Sequence, residues 1–187
     1  MPSRSLVPLA LLCGTLVVAG ACRPYDPGRD RKIPRPPKTV VFEYEAVLDA
    51  PIDVVWATLT DLPSYEAWNP WITRAEGPLE VGERVDITVQ LGDDDRDMWH
   101  RVVEVEAPTR FCWRDGGPST GFVTGLRCRT LTATADGRTR IEQVLTLGGS
   151  MRAMAERRYG PKLMAGMEAE TTALGEEAQR RAKASPG

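Results

Sequence analysis

The stretch Arg140-Ile141-Glu142-Gln143-Val144-Leu145-Thr146-Leu147-Gly148-Gly149-Ser150-Met151 decides the architecture, because the apolar period changes inside it. Ile141, Gln143, Leu145 and Leu147 recur at every second residue, the spacing of a strand with one face against a core. Beyond the Gly148-Gly149 break, Leu163, Met167, Leu174 and Ala178 recur at helical spacing on a segment running to about Lys183. Gly160-Pro161 interrupts that segment. Proline suits a first helical turn, so a short helix from Met151 and a second one from Pro161 are expected. A long helix must bury its apolar stripe, and the only large partner available is a sheet.

The sheet is legible upstream. Val40, Phe42, Tyr44, Ala46 and Leu48 alternate with Val41, Glu43 and Glu45, and Asp49-Ala50-Pro51 ends that strand. Val55, Trp56 and Leu59 have helical spacing, and a second short helix over residues 63–68 stops at Asn69-Pro70. Trp56, Trp68 and Trp71 are expected to pin these helices onto the sheet. Five strand-like runs follow. Val85, Ile87, Val89 and Leu91 form the first, and an acidic turn over residues 92–96 leads to the second, whose phase is open. Either Met98, His100 and Val102 face inward, or Trp99, Val103 and Val105 do. Phe111 and Trp113 carry the third run, Leu126, Cys128, Thr130 and Thr132 the fourth, and Asp136-Gly137 turns the chain into the fifth. The fold class is α+β: a strand, two short helices, a meander and a long helix.

The N-terminus is different in kind. Arg4 precedes an uncharged stretch from Ser5 that ends in the small residues Val18-Ala19-Gly20-Ala21 before Cys22, the pattern of a secretory leader. Residues 6–22 are short of the roughly 20 apolar residues a membrane span needs. The ending is similar to a bacterial lipoprotein signal, which implies lipidation of Cys22 and an N-terminal membrane anchor on the periplasmic side; simple secretion after Ala21 is the alternative. Residues 23–38 hold five prolines, six basic and two acidic residues and almost nothing apolar, the composition of an extended tether. The domain is placed at residues 39–183, with a tail at 184–187.

A formal charge of −2 without a clustered basic surface argues against a nucleic-acid partner. The run Asp93-Asp94-Asp95-Arg96-Asp97 lacks the spaced oxygens and closing glutamate of a calcium loop, so no metal is assigned. No nucleophile–base spacing and no cofactor motif stands out. With the strands phased by their apolar residues, the inner face collects Tyr44, Ile87, Val89, Phe111, Trp113, Cys128, Thr130 and Gln143, with His100 added in one phase of its strand and Met167 facing them from the helix. An apolar wall with a few polar groups is what a small-molecule pocket requires. The same phasing puts Cys112 outside with Arg114 and Cys128 inside with Leu126. Opposite faces point the Cβ atoms apart, so both thiols are expected free even though export invites a disulfide.

Leu48-Asp49-Ala50-Pro51, Val54-Val55-Trp56, Thr60-Asp61, Trp68-Asn69-Pro70-Trp71, Val81-Gly82, residues 107–113 and Asp136-Gly137-Arg138-Thr139-Arg140 together resemble the START-like, SRPBCC superfamily, most closely its polyketide cyclase/dehydrase-type members. The resemblance implies a helix-grip fold, a curved antiparallel sheet around the C-terminal helix with a hydrophobic cavity between them. It implies a lipid or another hydrophobic small molecule as partner, and for some members catalysis, but carries over no catalytic residue. The expectation is an envelope-anchored binding or carrier protein; the alternatives are a cyclase/dehydrase-type enzyme and a protein-interaction module. The oligomeric state is left open.

Overall fold

The computed structural model describes residues 38–184; the expected leader, the expected tether as far as residue 37 and the expected tail from residue 185 lie outside the described residues. Seven strands form one curved antiparallel sheet: β1 Val40–Leu48, β2 Ile72–Glu76, β3 Arg84–Leu91, β4 Asp94–Glu106, β5 Arg110–Asp115, β6 Thr124–Ala133 and β7 Thr139–Gly148. Their spatial order is β1-β7-β6-β5-β4-β3-β2, so the first strand returns to pair with the last. Three α-helices accompany them, α1 Ile52–Thr60, α2 Tyr65–Trp68 and α3 Arg152–Ala184, with short 3-10 turns at Leu62–Ser64 and Pro118–Gly121. Helix α3 packs against α1, β1, β3 and β7, which is the helix-grip arrangement. Among the described residues, no helix is long and apolar enough to cross a membrane.

Four expectations are corrected. Strand β2 was not anticipated; it is short and shifts register between Ile72 and Arg74, so it shows no clean alternation. The acidic turn is a two-residue connection, Gly92-Asp93, because β4 already pairs with β3 from Asp94. Helix α3 runs through Pro161 without a break. The proline leaves the Arg157 carbonyl without its i+4 donor, but packing on both sides of that turn keeps the backbone helical: Gly160 lies against the Phe42 ring and Lys162 donates to the Leu91 carbonyl at 3.0 Å.

The fourth correction concerns phase. On β6, Gly125, Arg127, Arg129 and Leu131 point inward, while Leu126, Cys128 and Thr130 stand on the outer face. Cys112 is also outward on β5, directly opposite Cys128, and the two form a disulfide with Cα atoms 4.1 Å apart. The apolar Leu126 misleads here: it is 40% exposed, whereas Arg127 and Arg129 are buried. On β4 both phases hold in turn, since a bulge between Val102 and Glu104 brings His100 and Val102 inward before it and Val105 after it.

Candidate functional site

Between the inner sheet face and α3 lies a cavity of about 250 Å³. Ile72 from β2, Ile87, Val89 and Leu91 from β3, Leu145 and Leu147 from β7, and Leu163 from α3 form its apolar wall. Its polar groups are Arg96, His100, Asp115, Arg127 and Tyr159. At one end the Arg96 guanidinium lies 5.4 Å from the Tyr159 ring centre. A hydrogen bond from Arg158, with the positive charge of Arg96 nearby, holds the Tyr159 phenol below its ordinary pKa despite the opposing effect of burial.

Asp115 ends β5 opposite His100 on β4, and its Oδ1 lies 3.0 Å from His100 Nε2. The carboxylate thus faces the Nε2 edge of the imidazole. Nδ1 is buried with no hydrogen-bond partner among the described residues. The other Asp115 oxygen accepts the Gly125 N–H at 2.7 Å. Glycine leaves this approach unobstructed, since a Cβ at position 125 would sit 2.9 Å from that oxygen and push the carboxylate aside. The His100 ring is also tilted against Trp113, with ring centres 5.1 Å apart.

The second polar feature is a buried charge cluster. Glu170 on α3 takes Arg127 Nη2 on one oxygen and Arg129 Nη2, at 3.0 Å, on the other. Gln143 on β7 accepts from Arg127 Nε at 3.1 Å and donates to the Thr171 hydroxyl. The guanidiniums stack on aromatic faces, Arg127 on Trp71 at 4.2 Å and Arg129 on Trp113 at 4.6 Å. When desolvated, such stacking contributes about 2 kcal/mol or more. Burial, and next the neighbouring Arg129 charge, bring the Arg127 pKa down to about 10, so it stays protonated at neutral pH. Burial raises Glu170, but the charges and hydrogen bonds of the two arginines outweigh it and hold the carboxyl below its ordinary range.

Trp71 reaches this place through an Asn69 turn. The Asn69 side-chain oxygen accepts the N–H groups of Trp71 and Ile72 at 3.0 and 2.9 Å. Gly166 on α3 clears room for the indole, since a Cβ there would lie 2.4 Å from the ring. Trp71 therefore forms cavity wall and does not simply pin the short helices.

Of the residues singled out in the sequence, Ile87, Val89, His100 and Trp113 line the cavity. Phe111 is buried edge-to-face behind Trp113, with ring centres 4.9 Å apart, and Met167 is buried on α3. The Gln143 amide is taken up by Arg127 and Thr171, and the inward-facing Tyr44 pairs with Gln143 across β1 and β7 outside the cavity. Cys128 and Thr130 are on the other side of the sheet. Arg127, Arg129, Glu170, Asp115 and Trp71 were missed. Glu170 left a trace: it sits three residues after Met167 and four before Leu174, in the middle of the apolar stripe, where an acid requires an inward-facing base.

A helix-grip sheet closed on a largely apolar cavity defines a protein of the SRPBCC type. The chain belongs to the family described as polyketide cyclase / dehydrase and lipid transport, which matches residues 39–178. Among curated proteins, none matches the chain in sequence. Similar solved structures include the Zhui aromatase/cyclase from Streptomyces sp. R1128, at 18% identity and TM-score 0.66, covering 77% of this chain and 96% of that one. Norcoclaurine synthase from Thalictrum flavum, in complex with dopamine and hydroxybenzaldehyde, aligns at 16% identity and TM-score 0.61 over 76% and 88% of the two chains. A protein from Arthrobacter aurescens aligns at 20% identity and TM-score 0.61 over 75% and 86%. At these identities the likeness is one of fold.

Proposed function

We propose that this protein binds or carries a hydrophobic small molecule in the cavity between the sheet and α3, and is held at the cell envelope through a lipidated Cys22. The observation that carries the first part is the apolar wall of Ile87, Val89, Leu145, Leu147 and Leu163 around a space of about 250 Å³. That volume lies just under the roughly 300–1,000 Å³ of drug-sized sites, so the ligand is small. The small-residue run before Cys22 and the basic, proline-rich tether support the second part. The Cys112–Cys128 disulfide also suits an oxidising compartment.

Titrating the full chain with the neutral fluorophore 1-aminoanthracene tests the binding function. Saturable uptake of one molecule per chain is expected, and a linear, non-saturating response contradicts it. For the anchor, Cys22→Ser should move the protein out of the membrane fraction; retention as firm as the parent's contradicts lipidation at that residue.

One observation favours a second function, an enzyme of the cyclase kind: His100 and Asp115 form an acid–base pair in the cavity wall. His100→Gln separates the two. A carrier keeps its ligand affinity within about tenfold, since one exchanged hydrogen bond contributes roughly 0.5–1.5 kcal/mol. An enzyme loses turnover while still binding.

A further inference from the structure

We propose that the ligand of this cavity carries a carboxylate, and that the carboxylate sits at the guanidinium of Arg127 beside Trp71. This rests on the cavity being a binding site and specifies what the site selects.

The charges within the buried arginine cluster do not balance. Arg127 and Arg129 are both buried, and among the described residues Glu170 is the one carboxylate paired with them. Tyr65, whose charge would also be felt here, is no counter-charge, because burial pushes its phenol up and its hydroxyl donates to the Leu59 carbonyl at 2.7 Å. Asp115, the acid on the cavity wall, makes its contacts with His100 and the Gly125 N–H rather than with either arginine. Gln143 contributes a neutral amide. Two guanidiniums therefore share one carboxylate in a region of low dielectric, where an ion short of its partner is costly.

The two arginines are not equivalent. Arg129 is fully buried beneath Trp113 and Phe111, and its Nε and Nη1 are sealed off without partners. Arg127 forms part of the cavity wall. Its Nε and Nη2 are engaged by Gln143 and Glu170, while Nη1 makes no hydrogen bond among the described residues. Stacking on Trp71 fixes the guanidinium plane, so the free edge is preorganised. An ammonium-bearing ligand would add to the excess charge, and a purely apolar one would leave it unmet. A carboxylate joined to an apolar body balances the charge and fills the rest of the cavity, with hydrogen bonds of the charge-assisted kind.

The test uses the full chain and two matched ligand pairs, 2-naphthoate with 2-naphthylmethanol and decanoate with decanol, titrated by calorimetry at neutral pH. In at least one pair the acid should bind at least tenfold more tightly than its alcohol. Arg127→Gln should abolish that preference, bringing the acid-to-alcohol affinity ratio to within about threefold of one. This variant is expected to fold because it leaves Glu170 paired with Arg129, a balanced couple, and a thermal melt checks that. Where it does not fold, the ratio in the parent decides alone. Equal affinity of acid and alcohol, or tighter binding of the alcohol, overturns the carboxylate subsite and leaves the cavity's binding function standing. A preference that survives Arg127→Gln in a folded variant also overturns it. Failure of all four compounds to bind overturns both the cavity's function and this subsite.

Discussion

Strands β6 and β7 are neighbours in the sheet, of equal length, and joined by a hairpin, yet they distribute polarity in opposite ways. Strand β7 follows the simple rule more closely: Ile141, Leu145 and Leu147 face in and Arg140, Glu142 and Thr146 face out, with Thr139 and Gln143 as the neutral polar residues turned inward. Strand β6 sends Arg127 and Arg129 inward and leaves Leu126 outside. The difference is Glu170. A single carboxylate on α3 provides two arginines with a partner inside, and aromatic faces from Trp71 and Trp113 cover the remaining guanidinium surface. Period identifies a strand; partners on another element determine which face is buried.

The largest effect should come from removing the group that makes β6 differ from β7. Glu170→Gln leaves two buried guanidiniums without a carboxylate and is expected to cost about 3–5 kcal/mol in denaturant unfolding. Arg129→Met, which leaves the balanced Arg127–Glu170 pair, should cost clearly less; equal costs would break the charge explanation. The same carboxyl predicts an acid limb. Its folded pKa is depressed below the ordinary 4.5, so its stabilisation is complete above that pH and is lost as pH falls through the folded value. Glu170→Gln should flatten that limb.

On β7, Ile141 is fully buried, and Ile141→Ala should cost about 2–5 kcal/mol. The disulfide links β5 to β6 on the outer face across a separation of 16 residues, and the Cys112→Ser, Cys128→Ser double variant should lose about 2–4 kcal/mol. Labelling under denaturing, non-reducing conditions should find both thiols blocked. The smallest effect belongs to the apolar residue that faces out: Leu126→Ser on β6 should stay within about 0.5 kcal/mol. A cost near that of Ile141→Ala would show that β6 has the other phase.

Much of the fold was readable because it rests on period. The strand of Tyr44, the two short helices, the hairpin at Asp136-Gly137 and the long C-terminal helix all announce themselves locally. Strand β2 did not, since its bulge at Ile72 disrupts alternation within five residues. The site was less readable. Ile87, Val89 and Trp113 follow from alternation, whereas His100 depended on a bulge that divides β4 between two phases. The Arg127–Glu170–Arg129 cluster joins residues more than 40 positions apart, and no local pattern reports such a contact. The disulfide is hidden for the same reason as Arg127: Leu126 stands on the outer face although it is apolar, so the phase of β6 does not follow its hydrophobicity.

The central claim is that ligand occupies the space between the sheet and α3, and filling that space tests it most directly. Leu147 lines the cavity from β7, and Leu147→Phe adds volume into it while remaining apolar. The 1-aminoanthracene affinities of the parent and of this variant should be compared after thermal melts confirm that both are folded. At least a tenfold loss of affinity in a folded variant is predicted. Unchanged affinity in that variant would place the ligand elsewhere on the protein and contradict the account.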